Sequence, residues 1–317
     1  MSQSLEKVTK NTPKIYLINK PEGPSSFDIV RDFKKKFPRG TKHKLGHFGT
    51  LDPFASGLLL IGSFGATKLM NEVHDSMSKT YVATGIIGKK TDSGDHTGNI
   101  IDVSELDIST TLFLDNLKND LSDFIGDFEQ SPPAFSASKF NGKPLYEYAR
   151  KGEMIAKDSV KRTLYSGEVI SFNYPDIEIE FEVSSGTYIR TLFEQLLEKQ
   201  RQLGYLRSLR RTKIGNWSLK DSIDYEDFTK LTLEEIPSLN TFDFIDYKKV
   251  SLEDHRVARF LNGCSSYLNS VSGHGELNSE DLNLKELDKC WVFANDGACL
   301  GLGVIKEKEL HPIWPWC

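Results

Sequence analysis

The chain has 317 residues, 38% hydrophobic and 27% charged, with a formal net charge of −5 at pH 7. At roughly 150 residues per domain, that length allows one large core and a smaller module, with enough buried surface to fold without staples. No apolar run nears the ~20 residues of a membrane helix, and the acidic balance excludes indiscriminate nucleic-acid binding across the whole surface. Cys264, Cys290, Cys299 and Cys317 lack any C-x-x-C pair, so no metal site or disulfide framework is expected.

Residues 1–13 read as a flexible polar tail without a signal-peptide core, which implies a cytoplasmic protein. Tyr16 to Ile18 predicts a strand, and Pro21-Glu22-Gly23-Pro24 a turn. Ser25 or Ser26 then caps a helix whose apolar positions Phe27, Val30, Phe33 and Phe37 recur at helical spacing. The stretch from Gly46 to Gly57 holds three glycines and Pro53 around Asp52, a composition that fixes an unusual backbone path. Leu58 to Ile61 is too short for a helix and reads as a buried strand.

Further strands are expected near 58–63 and 79–88, a helix over Thr111 to Phe124, and an exposed functional loop over 130–145, rich in Pro, Ser, Ala and Gly. Ile177, Ile179, Phe181 and Val183 alternate with acids, which predicts a half-buried strand. After Gly186-Thr187 the period becomes helical through Leu192, Phe193, Leu196 and Leu197, and Tyr205 to Lys213 reads as another strand. Beyond about residue 246 come short strands, Cys290 to Ala294 and Leu300 to Ile305, around the hairpin pair Asp296-Gly297. Hairpins mixed with helices favour α+β. Basic residues crowd the approach to Asp52 (Arg31, Lys34, Lys35, Lys36, Arg39, Lys42, Lys44) and recur at Arg201, Arg207, Arg210, Arg211 and Lys213. Acids gather at Glu276, Glu280, Asp281, Glu286 and Asp288, so the charge is asymmetric along the chain, a pattern that by itself reads as solvated faces.

Gly46 through Leu59 resembles, without a gap, the signature Gly-His-x-Gly-x-Leu-Asp-Pro-x-Ala-x-Gly-x-Leu of the TruB-type tRNA pseudouridine synthases. Further blocks follow in that family's order: Lys79-Thr80-Tyr81, Gly88 to Asp95, Gln130 to Ala137, Tyr146 to Arg150, Ser185 to Leu192 and Gly204 to Thr212. The resemblance covers roughly residues 14 to 216. It implies an α+β catalytic domain over 14–245, with a central mixed, mostly antiparallel sheet flanked by helices and an RNA-gripping insertion near 125–155. A small β-rich PUA-like module over 246–317 would follow.

The implied function is isomerisation of the T-loop uridine 55 of tRNA, needing no cofactor and no metal. The implied partner is the tRNA T stem-loop, with no membrane, and a monomer is the default. Asp52 would act first, by attacking a carbon of the nucleotide or by removing a ribose proton. Arg190 would pair with it, Tyr81 stack on the target base, Leu209 floor the uracil pocket and Tyr188 line it. The base must leave its stack. His47 either occupies the vacated space or is a loop histidine bonded to backbone. Lys79, Lys139, Arg150 and Arg211 are candidates for RNA phosphates. The rivals are a guide-RNA-dependent synthase of the dyskerin type and an RNA-folding chaperone with secondary catalysis.

Overall fold

The computed structural model describes residues 12–38, 44–105, 109–267, 271–272, 288–306 and 309–316. Most of the expected tail, Arg39, Lys42, Cys317 and the acids Glu276, Glu280, Asp281 and Glu286 lie outside the described residues. The described residues fall into two compact units, one of Tyr16–Gly62 with Thr67–Pro237, the other of residues 12–15 and Ser63–Ala66 with those from Ser238 onward.

The larger unit is organised by one sheet. Its main strands are β1 (Lys14–Lys20), β2 (Gly46–His47), β3 (Ser56–Ser63), β4 (Lys79–Ile87), β5 (Gly126–Gln130), β6 (Val160–Asn173), β7 (Asp176–Val183), β8 (Gly204–Ile214) and β9 (Ile223–Asp224). In space the order is β9-β1-β3-β8-β4-β7-β6-β5, with β2 beside β3. From β8 to β5 every pair is antiparallel, whereas β3 with β8 and β1 with β9 are parallel. With its helices this is the expected α+β arrangement.

The patterns behind these elements are simple. In β7, Ile177, Ile179, Phe181 and Val183 point inward and the intervening glutamates outward. All eight residues of β3 are buried, as expected for a strand covered on both faces. Helix α2 (Thr110–Asp123), capped by Ser109, sends Phe113, Leu117 and Leu121 into the core, and α3 (Ile189–Lys199) sends Leu192, Phe193, Leu196 and Leu197. Each of these larger apolar side chains contributes about 1.5–3 kcal/mol on burial.

Three readings of the sequence are corrected. Helix α1 (Ser26–Lys35), capped by Ser25, buries Ile29, Val30 and Phe33 while Phe27 is 68% exposed, because the stripe sits on the other side of position 27. The long strand β6 was not foreseen, since Leu164 is its only fully buried residue and two register shifts break its alternation. Residues 130–145 are not all loop: Lys139–Phe140 and Lys143–Pro144 form a hairpin that leads into the helix Leu145–Ala149.

The smaller unit is a β-rich module. Strands Asp288–Ala294 and Cys299–Lys306 form a hairpin across Asp296-Gly297, and Glu309–Pro315 adds a third strand to it. Trp291 is fully buried and its Nε1 donates to the Ile245 carbonyl at 2.8 Å. No helix among the described residues is long and apolar enough to cross a membrane.

One close approach fixes the seam between β3 and β8. Gly57 has φ +111°, and a Cβ there would sit 2.3 Å from the Arg211 carbonyl oxygen. Gly126 has a similar φ of +116° but open space around it. Both alanine variants incur backbone strain, and only Gly57→Ala adds overpacking of about 1–3 kcal/mol. Urea denaturation should therefore show Gly57→Ala to be less stable than Gly126→Ala by that margin; equal losses would mean the seam is loose.

Candidate active site

The loop between β2 and β3 is held from below by buried donors. Arg211, 1% exposed, donates its Nε to the Leu58 carbonyl (2.8 Å) and its Nη2 to the Gly49 carbonyl (3.2 Å). Ser26 Oγ donates to the Leu51 carbonyl (3.0 Å) and accepts the Leu51 N–H (2.8 Å), stapling the loop to the first turn of α1. Lys20 is fully buried, with its Nζ donating to the carbonyls of Pro21 and Pro24 (2.8 Å each) and of Pro53 (3.4 Å). The Gly23 N–H also donates to the Pro53 carbonyl, at 2.8 Å. Burial pulls Lys20 down to about 8, against the opposing pull of the Asp52 charge.

On this platform Asp52 remains about one-third exposed, and its Oδ2 meets Arg190 Nη2 at 2.9 Å. Arg190 is buried at the start of α3, between two carboxylates. Its Nη1 lies 3.6 Å from Asp95 Oδ2 and donates to the Ser93 carbonyl (2.6 Å), while Nη2 also donates to the Phe135 carbonyl (2.8 Å). Asp95 is itself fixed, its Oδ1 accepting from the Thr97 N–H (2.9 Å) and from Ser93 Oγ (3.0 Å). Gly94 and His96 bond to Leu206 of β8, so the acid is anchored to the sheet. A guanidinium so satisfied holds one orientation of its fork.

Tyr81 and Leu209 come together with Leu51, Phe54, Ala55 and Ile189 in one apolar cluster beneath the loop. The Tyr81 hydroxyl accepts from Arg211 Nη1 at 3.5 Å, and that guanidinium lies 6.0 Å from the ring centroid. Tyr188 is half-buried, with its N–H and carbonyl both held by the Gln130 amide at 2.8 and 3.1 Å. His47 pairs with Ile61 in the β2–β3 ladder. Its Nδ1 is buried without a hydrogen-bond partner among the described residues, and burial followed by the Arg211 charge lowers its pKa, which keeps the ring neutral.

The four phosphate candidates separate. Lys139 and Arg150 are exposed, the latter over the Tyr146 ring at 5.3 Å. Lys79 and Arg211 are interior. Lys79 Nζ donates to Ser185 Oγ and to the Met77 carbonyl, and burial plus the Arg211 charge pull it down to about 7. Neither interior group offers a cation to a surface phosphate in this arrangement, and Arg211 serves the loop instead.

Sequence reasoning gave no role to Lys20, Asp95 or Gln130, and offered Ser26 only as an alternative to Ser25 for the helix cap, whereas it bonds the Leu51 backbone. Lys20 ends an apolar strand as an ordinary surface lysine would, and only the carbonyl-rich turn after it hints at a trapped ammonium. Chemically, the site offers one accessible, oriented carboxylate above an aromatic and aliphatic floor, ringed by buried cations. It can take a planar apolar group beside a nucleophile or base.

Residues 34–189 match the TruB family pseudouridylate synthase N-terminal domain. The chain is 33% identical over 298 residues to the tRNA pseudouridine synthase B of Mycoplasmopsis pulmonis (strain UAB CTIP), covering 94% of this chain and 93% of that one. It is 35% identical to the protein of that name from Clostridium kluyveri (strain ATCC 8527 / DSM 555 / NBRC 12016 / NCIMB 10680 / K1), covering 93% and 96%. Among solved structures, a chain of an H/ACA ribonucleoprotein bound to a substrate RNA containing 2′-deoxyuridine superposes with a TM-score of 0.68 at 19% identity, covering 99% of this chain and 87% of that one. A Cbf5-Nop10-Gar1 complex gives 0.63 at 22%, covering 95% and 80%. The structural likeness shows a shared fold, and identity of a third or more along nearly the whole length makes this chain a member of the TruB family of pseudouridine synthases.

Proposed function

We propose that this pseudouridine synthase is a stand-alone, cofactor-independent enzyme that acts on uridine 55 in the T loop of tRNA, as a cytoplasmic monomer, with Asp52 starting the reaction. The observation that carries the reading is the accessible Asp52 carboxylate paired to buried Arg190 at 2.9 Å, in a chain aligned nearly end to end with proteins named tRNA pseudouridine synthase B. The 14–245 and 246–317 division, with an RNA-gripping insertion near 125–155, belongs to the same proposal.

The reaction breaks the C1′–N1 bond, turns the uracil, forms a C1′–C5 bond and moves the C5 proton to N1 through solvent, so atoms balance without a redox partner. For either opening step, attack on carbon or removal of a ribose proton, the carboxylate must be ionised and aimed. Arg190 does both through charge and fork geometry. Tyr81 and Leu209 take the faces of the extruded uracil, Tyr188 lines its edge, and neutral His47 fills the space it leaves. Lys139 and Arg150 meet RNA phosphates. The burial of Lys79 and Arg211 supports a part in shaping the loop.

The test is release of tritium from an unmodified tRNA transcript carrying 5-tritiated uridine. Wild type should release one label per tRNA from the T loop, whereas Asp52→Asn should lose at least about 10²–10⁴-fold in rate with tRNA affinity within a few-fold. Turnover by Asp52→Asn would remove the assignment, and no release by wild type despite tight binding would favour the guided or chaperone alternatives.

Asp95 touches the reaction only through Arg190, which makes it a positioning residue. Asp95→Asn should lower the single-turnover rate by about 10²-fold, as a misplaced reacting group does, while KM stays near wild type. A raised KM at unchanged rate would contradict that role.

The buried lysines add a pH signature. Lys79 and Lys20 titrate near 7 and 8 when folded but near 10.5 when unfolded, so between those values the unfolded chain binds more protons. Stability therefore rises with pH across the window. Urea midpoints at pH 7 and pH 9 should show the increase, and Lys79→Met should shrink it; an unchanged slope would mean Lys79 stays charged when folded.

A further inference from the structure

A second recess, of about 450 Å³, lies where the start of β6, the end of β7 and the segment leading into β4 meet. Its walls are polar: Arg162, Lys161, Thr163, Ser184 and Ser185 contribute, with Asp127 as the acid among them. The acid is already spent. Asp127 Oδ2 pairs with Lys161 Nζ at 2.7 Å, and its Oδ1 accepts from Thr163 Oγ1 at 2.8 Å. Those two contacts hold the carboxyl below its ordinary range.

Arg162 is left over. It is half-buried, it has no carboxylate partner among the described residues, and its guanidinium is packed on the Gly186 turn. A Cβ at Gly186 would lie only 3.0 Å from Arg162 Nη2 and 3.1 Å from Cζ. Beside it, Ser185 Oγ receives the Lys79 ammonium. With a lone pair committed there, the Ser185 hydroxyl proton is free to donate into the recess. Arg162 with a hydroxyl donor beside it, and the Lys79 amine behind that hydroxyl, is the chemistry of an oxyanion site. A phosphodiester carries one negative charge, which the Arg162 fork can balance by itself. The volume also exceeds one phosphate and leaves room for an adjoining ribose.

The recess is joined to the site already described. Ser185 stands five residues before Arg190 on the same segment, and Lys79, bonded to Ser185, reaches to within 3.9 Å of where a Gly49 Cβ would be.

We infer that this recess seats a backbone phosphodiester of the bound RNA, with Arg162 as its anchor, and so sets the register of the strand relative to Asp52. The inference rests on the reading of the protein as a tRNA-modifying enzyme.

The experiment measures equilibrium binding of an unmodified tRNA transcript to the full chain from 50 to 300 mM salt, for wild type, Arg162→Gln and Arg162→Lys. Losing one phosphate contact should reduce the slope of log K against log salt by roughly 0.7–0.9. Affinity at low salt should fall about tenfold, in the range of a charge-assisted hydrogen bond. Arg162→Lys should restore the slope but only part of the affinity, since it keeps the charge and loses the fork. Arg162→Gln should keep the wild-type melting temperature on the same preparations, which separates a lost contact from a lost fold.

Wild-type slope and affinity in Arg162→Gln would overturn the inference. So would saturable binding of inorganic phosphate to the RNA-free protein, lost in Arg162→Gln while tRNA affinity is untouched, because the recess would then serve free anions. A wild type that neither binds nor modifies tRNA would instead strike the functional reading itself.

Discussion

The backbone path of residues 49–58 is the constraint on which this site depends, and it is set from beneath by side chains that a solvent-facing loop would not need. Arg211, Lys20 and Ser26 reach up from β8, β1 and α1 to bond the Gly49, Leu51, Pro53 and Leu58 backbone. A loop whose carbonyls face water can rearrange at little cost. Here each would leave a buried cation or hydroxyl unpaired, a loss of about 1–3 kcal/mol per group and more for a charge. The rigidity of the loop is therefore an outcome of solvation, and proline and glycine only make the path possible.

That arrangement also collects positive charge under the one accessible acid. Arg190 joins the buried cations but differs from them in having carboxylates on two sides, Asp52 at 2.9 Å and Asp95 at 3.6 Å. Asp95 and the Ser93 and Phe135 carbonyls fix the guanidinium in the interior, and Asp52 is the acid it holds toward solvent. Having both lets a buried arginine stay fully bonded while still holding an acid that solvent reaches.

What was legible in the sequence follows from which forces leave a periodic trace. Strand β7 and helices α2 and α3 each expose one face to the core, so their apolar residues recur at two or at three to four positions, and they were readable. Strand β6 is paired on both edges yet half-wet on its faces, and hydrogen bonding alone writes no pattern. Asp52, Arg190, Tyr81 and Leu209 could be named because family motifs carry them. Burial of a charge was invisible: Arg211 and Lys79 looked like their neighbours Arg210 and Lys213, and only the sheet register decides which of them turns inward.

The Gln130 amide grips both backbone groups of Tyr188 at the foot of α3, and five residues later the Phe135 carbonyl accepts a hydrogen bond from Arg190 itself. The chain entering the 139–149 hairpin and helix is thus fastened twice to the element that aims the carboxylate. Any displacement of that segment must therefore break, or carry with it, the hydrogen bonds that Tyr188 and Arg190 make to it.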